Sequence, residues 1–259
     1  MKYKHNKELK MKRIILFIIV ILVAGAFSQS YSEYIIQGKE KIQSAVNDWD
    51  FKKMLDARAY FERALAQGEM DWLIHYYVAY CDYRLTSYMF SKNDMKGAKD
   101  YVNDGIKHLK TCIDTNQKFA EAYAMLSSFY GNKIAMLPWA GFYYGPKSGK
   151  LMQQATVMGE DNPRVQLQRG LSYYFTPERW GGSKQLAKEN FQKATELFQI
   201  KSDNLVLPDW GHSETYGWLG SVEIDLGDMD AAKVYFEKAL KIDPNNNWVK
   251  YQLMPKLKK

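Results

Sequence analysis

Between residues 31 and 246, apolar and small side chains recur every three to four positions, and Gly, Pro or Asn breaks the rhythm at intervals. That period belongs to helices with one apolar face. Alternating runs bounded by hairpin turns are almost absent, so no sheet is expected. The breaks predict helix pairs at 33–47/51–67, 71–86/97–115, 118–134/146–159, 163–175/182–199 and 212–226/229–242, with a short capping helix at 247–257. The expected fold class is all-α, a solenoid of about five helix-turn-helix repeats.

The pairs are related to one another. In the last, Tyr216, Leu219 and Gly220 fall in the first helix and Gly227 in the turn. Ala232, Phe236 and Ala239 fall in the second helix, and Pro244 closes the unit. Gly220 is small enough to let its helix lie close to a partner that is also small at Ala232 and Ala239, with Phe236 filling the gap between. Pro244 stops the helix because it biases Asp243 away from helical backbone. This stretch, Ser213–Asn246, resembles a tetratricopeptide repeat (TPR), departing from it where Glu223 replaces an aromatic residue. Weaker copies place Ala57, Phe61 and Ala64, then Gly105, Leu109 and Cys112, then Ala187, Phe191 and Ala194 at second-helix positions. Tyr123, Leu126, Ser127 and Tyr130 hold first-helix spacing, with Gly170 marking another first helix. Ser148, Met152 and Ala155 match least well. The resemblance implies a TPR-like α-solenoid, since such units bury their apolar faces only by stacking.

Departures from the repeat mark candidate binding surfaces. Ser87–Lys96, Leu137–Gly145 and Thr176–Gly182 read as insertions between the two helices of consecutive repeats, so they should share one edge. They carry Trp139, Phe142, Tyr143, Tyr144 and Trp180. These rings either form a binding lip or fold back to seal the stack. Tyr76, Tyr80 and Tyr83 recur along one predicted first helix, with Arg84 beside them. That stripe either grips a peptide, with Arg84 contacting its backbone or carboxylate, or is covered by neighbouring segments. The loop Gln199–Gly211 joins two repeats and is expected on the opposite edge, with Trp210 packed near a helix start.

Charge changes the picture only at the N-terminus. The chain has 36 basic and 29 acidic residues, but Lys2, Lys4, Lys7, Lys10, Lys12, Arg13 and Glu8 precede an uncharged run from Ile14 to Phe27. A basic stretch, a short apolar run and small residues at 24–26 read as an export signal over residues 1–26; Met11 would also serve as its start. Left uncleaved, it would be the chain's one membrane anchor. The remainder, 27–259, keeps 36 − 6 = 30 basic and 29 − 1 = 28 acidic residues, a net of +2. Nothing there points to nucleic acid. Cys81 and Cys112 suit buried thiols, although an exported chain could pair them.

Catalytic patterns are weak. Gly145–Lys150 misses phosphate-loop spacing, and Leu151 stands where a hydroxyl would be needed. His75, His108 and His212 form no metal-ligand motif, and no cofactor or metal is expected. The function expected is a non-enzymatic module that binds a protein or peptide partner in the cell envelope, in the periplasm if exported. An alternative comes from Gly181-Gly182 ahead of Ala187, Phe191 and Ala194. It is similar to the helix pair of the periplasmic T-component of TRAP transporters, which implies a small-ligand-binding component associated with a solute transporter.

Overall fold

The computed structural model describes residues 31–65, 71–200 and 203–258. The export signal expected at 1–26 lies outside them. The chain divides into two units, Met1–Tyr34 and Ile35–Lys259. Of the first, only the opening turn of a helix, Tyr31–Tyr34, is described. The second is all-α, a TPR-like solenoid of helical hairpins, with no strand among the described residues.

Among the described residues five hairpins follow in order. They are α1 (Tyr31–Asp48) with α2 (Phe51–Leu65), α3 (Asp71–Ser91) with α4 (Met95–Thr115), and α5 (Ala120–Met136) with α6 (Gly141–Met158). Then come α7 (Pro163–Phe175) with α8 (Lys184–Leu197), and α9 (His212–Leu226) with α10 (Met229–Ile242). Local chemistry sets several starts. Asp94, Asn162, Ser183 and Asp228 cap α4, α7, α8 and α10 by accepting backbone N–H groups of the first turn. Pro163 follows its cap at the first helical position, where a missing N–H costs nothing. Gly227 ends α9 with a φ of 89°, a backbone region that favours glycine.

Small residues decide how closely the helices pack. A Cβ on Gly220 would lie 2.2 Å from Phe236, and the same conflict arises for Gly38 against Phe61, Gly170 against Phe191 and Gly105 against Phe129. The first three join the two helices of one hairpin. The fourth joins α4 to α5 of the next. The third hairpin lacks a Gly–Phe contact and instead holds Ser127 and Ser148 together, each hydroxyl donating to the other's carbonyl at 2.9 Å. Ala232, Phe236 and Ala239 form one buried cluster with Val249 and Leu253.

Several boundaries differ from expectation. Ser87–Lys96 is not an inserted loop: α3 continues to Ser91, because Tyr88 keeps the helical period and packs against Trp49 and Phe51. Leu137–Gly145 is also largely helical. A single 3-10 turn, Pro138–Ala140, leads into α6 at Gly141, and Pro146 sits inside that helix. The capping helix becomes a π-helical turn, Val249–Leu253, and a 3-10 turn, Met254–Lys258. Glu223, where the repeat pattern wants an aromatic ring, is buried and neutralised by Lys188 at 2.8 Å.

Candidate functional site

The tyrosine stripe of α3 is not an open surface. Tyr76 and Tyr80 are buried, Arg84 nearly so, and Tyr83 half-buried. What covers Tyr76, Tyr80 and Arg84 is the chain's own segment Asn204–Gly211, a strap that crosses the first-helix face instead of staying on the opposite edge, while Tyr83 meets Phe129. Trp210 stacks on Tyr80, centroids 4.6 Å apart, and its indole N–H donates to the Tyr76 hydroxyl at 3.1 Å. Tyr77 donates to the Val206 carbonyl at 2.6 Å. Lys39 of α1 donates to the Leu205 and Leu207 carbonyls at 2.7 and 2.9 Å and pairs with Asp209. Fixed side chains thus hold three successive backbone carbonyls, and an aromatic shelf takes one indole. The cause is hydrophobic burial of Val206 and Trp210 with polar groups satisfied on the way.

Arg84 is committed inside this assembly. Its guanidinium forms a two-pronged pair with Glu214 of α9, its Nε donates to the Tyr80 hydroxyl at 3.1 Å, and the rings of Tyr80, Tyr83 and Trp210 lie under it. Burial pushes the Tyr83 phenol up to about 12, with Glu214 adding to the shift. Tyr76 donates to Glu121, which also accepts from Arg164 and Asn162 at 2.8 Å. Burial first, then Glu121, raises the Tyr76 phenol well above its ordinary value. One network therefore ties α3, α5, α7, α9 and the strap.

Two aromatic surfaces stay open. At the tip of the α5–α6 hairpin, Trp139 is 71% exposed, Phe142 86% and Tyr143 59%, while Tyr144 is half-buried on Tyr130. On the next hairpin, Phe175 at the end of α7 is 65% exposed and Trp180 in the following turn 68%. Among the described residues no ring contact joins Trp180 to Trp139, Tyr143 or Tyr144. Instead Phe175 belongs to a cluster that spans two hairpins and the C-terminal turn: Tyr174 and Phe175 meet Trp218 of α9 at 5.4 Å, and Trp218 meets Trp248 at 4.9 Å. Lys184 lies 3.3 Å over the Tyr174 ring and pairs with Asp225. Sequence reasoning missed Phe175, Trp218 and Trp248. The available signal was Trp218 two residues after Tyr216, off the packing face that Leu219 and Gly220 define.

The groups suited to chemistry are dispersed. His75 and His108 meet through their Nδ1 atoms at 2.7 Å, and burial followed by the neighbouring imidazole lowers His108 to about 4. Cys81 and Cys112 are free, buried thiols, and burial lifts Cys112 to about 12. Asp82 is buried against Arg58 at 2.6 Å, and burial pushes its carboxyl up to about 8 despite that partner. Among the described residues no three His, Cys, Asp or Glu side chains are grouped to hold a metal. A shallow cleft of about 220 Å³ lies between α7 and α8, lined by Gln166, Arg169, Tyr173 and Lys193 among others.

The tetratricopeptide repeat family model matches residues 213–246. The fifth hairpin matches a TPR unit, and the other hairpins share its helix-turn-helix form. Its fold is shared with the HusA haemophore from Porphyromonas gingivalis at 20% identity and a TM-score of 0.64, covering 76% of this chain and 94% of that one. It is shared with a thermophilic TPR protein of Thermus thermophilus at 19% identity and a TM-score of 0.60, covering 86% of this chain and 100% of that one. No curated protein sequence matches the chain.

Proposed function

We propose that this TPR-type protein is a non-catalytic scaffold that docks a protein or peptide partner in the cell envelope. One observation carries the reading: the strap already fills the tyrosine stripe, while the cluster of Tyr174, Phe175, Trp218 and Trp248 is left partly open, as is Trp180 in the turn after α7. Aromatic rings offer large contact area at low entropy cost, and such residues anchor interfaces. Tyr76 and Tyr80 then hold the strap, and Arg84, over the Tyr83 ring, reaches the cluster through Glu214, which accepts from the Trp218 indole at 3.4 Å. Placement in the periplasm rests on the export pattern of residues 1–26. The test is peptide-display selection on immobilised protein, comparing the wild type with Phe175→Ser/Trp180→Ser. Aromatic-rich peptides should bind the wild type and lose about tenfold or more in affinity for the variant, the scale of one or two anchors. Equal binding would return the cluster to a packing role.

A second reading is a small-ligand carrier of the kind the transporter-component resemblance implies. The fold shared with a haemophore over 94% of that protein's length favours it, as do exposed ring faces able to stack on a planar ligand. Titration with haem, followed by its visible absorption, separates the two: a saturable spectral change lost in the same double variant supports the carrier, and an unchanged spectrum the scaffold.

A further inference from the structure

The tip of the α5–α6 hairpin carries a different chemistry from the cluster of Phe175, Trp218 and Trp248. From Ala122 to Gly159 the sequence holds three lysines, Lys133, Lys147 and Lys150, and no acidic residue. Three large rings project there with little cover. Trp139 stands on the 3-10 turn, and Phe142 and Tyr143 on the first turn of α6. Leu137 is exposed beside them. One to two turns further along α6, the Lys147 ammonium lies 3.5 Å from the Tyr143 ring centroid. Lys147 holds the Tyr143 phenol below its ordinary value by hydrogen bond and charge, and Lys110 of α4 contributes in the same direction. Lys133 of α5 donates to Asn103 of α4, and burial, followed by the charge of Lys99, lowers the pKa of its ammonium. Lysines of α4 and α6 thus act on the Tyr143 ring.

We propose that this tip is a docking surface for an anionic lipid bilayer, with Trp139, Phe142 and Tyr143 entering the headgroup boundary and the exposed Lys147 and Lys150 facing the lipid phosphates. Trp and Tyr partition to the membrane–water boundary because one end of each side chain is apolar and the other polar. Lys buries its stem and keeps its ammonium at headgroup level. A hairpin whose stretch 122–159 holds three lysines and no acid complements an anionic leaflet, and each Lys near the surface adds to the attraction. No described helix is long and apolar enough to cross a membrane. A protein partner would be expected to answer so many lysines with its own acids. A bilayer meets both features, ring insertion and uniform positive charge, with one surface.

The test uses the full chain with an environment-sensitive dye on Gly145→Cys, three residues after Phe142, where an added Cβ meets nothing within 4 Å. A control dye sits on Val234→Cys, an exposed position of α10; Cys81 and Cys112 are buried and stay unlabelled. Vesicles of phosphatidylcholine with phosphatidylglycerol should shift the emission at 145 to the blue and leave 234 unchanged. Phosphatidylcholine alone should give no shift, and Trp139→Ser/Phe142→Ser should weaken the response about tenfold or more. The shift should also fall as salt is raised, since screening shortens the reach of the lysines. No shift on anionic vesicles, equal shifts on both vesicle types, or a response only to lipid-free envelope protein would each overturn the proposal. Peptide binding at Phe175 and Trp180 is read separately, so either conclusion can fail alone.

Discussion

Gly220 and Gly149 are both helical glycines, yet substitution should push them in opposite directions. A Cβ on Gly220 would meet Phe236 at 2.2 Å, whereas one on Gly149 meets nothing within 4 Å. Gly220→Ala should lower stability by about 1–3 kcal/mol through overpacking. Gly149→Ala, exposed in mid-helix, should raise it by about 0.5–1 kcal/mol through backbone entropy alone. Urea denaturation of the two variants checks the pair. Arg84 and Glu214 supply a second contrast. Arg84→Met leaves a largely buried carboxylate without its partner and should cost about 3–5 kcal/mol, while Arg84→Met/Glu214→Met should cost clearly less. An equal loss in single and double variants would show that the pair itself stabilises. The histidine pair gives a pH signature. His108 is lowered from 6.5 to about 4 in the fold. Through His108 the unfolded chain binds more protons in that window, so its contribution to stability is full above pH 6.5 and declines as pH falls toward 4, while Asp82, raised to about 8, acts in the opposite sense. Melting curves of the wild type and His108→Gln should therefore diverge across the window, the wild type losing more stability than the variant as pH falls.

At the scale of elements, the strap Asn204–Gly211 matters more than any single helix. It takes the surface that the spacing of Tyr76, Tyr80 and Tyr83 advertises. Trp210→Ala should remove about 3–5 kcal/mol, the usual cost of emptying a large buried site. It should also speed amide exchange across 204–210 ahead of the helices. Exchange that quickens equally everywhere would mean the strap unfolds only with the whole stack. The third hairpin shows why its repeat signal is faint. Its close contact is made by Ser127 and Ser148 instead of glycine and phenylalanine, and Pro146 enters a helix that propensity would start later. Ser87–Lys96 misleads for a related reason: a helix that outruns its repeat length looks like an insertion when only the repeat is counted.

For the second unit as a whole, each hairpin buries its apolar face only against its neighbours, so the ends need cover. Trp248, Val249 and Leu253 cover the fifth hairpin, resting against Phe236 and Ala239. Ending the chain at Asn246 should expose that face, lower the melting temperature and promote association, which light scattering would register. Unchanged melting would show that the final turns are ornamental. Stacking also explains why the open aromatic surfaces lie where they do. The α5–α6 tip and the turn after α7 are hairpin ends, which neighbouring hairpins do not cover.

The helical period, the spacing of Gly220, Ala232, Phe236 and Ala239 and the near-absence of alternation were enough to establish an all-α repeat protein and most of its hairpins. These properties are local: a face and a small-residue contact are written within one hairpin's own residues. Which aromatic residues stay open is a different kind of property. Tyr80 and Trp139 look alike in sequence, but one lies beneath a segment 130 positions away and the other at a hairpin end with little cover. Exposure depends on what the rest of the chain leaves uncovered, and long-range packing alone settles that.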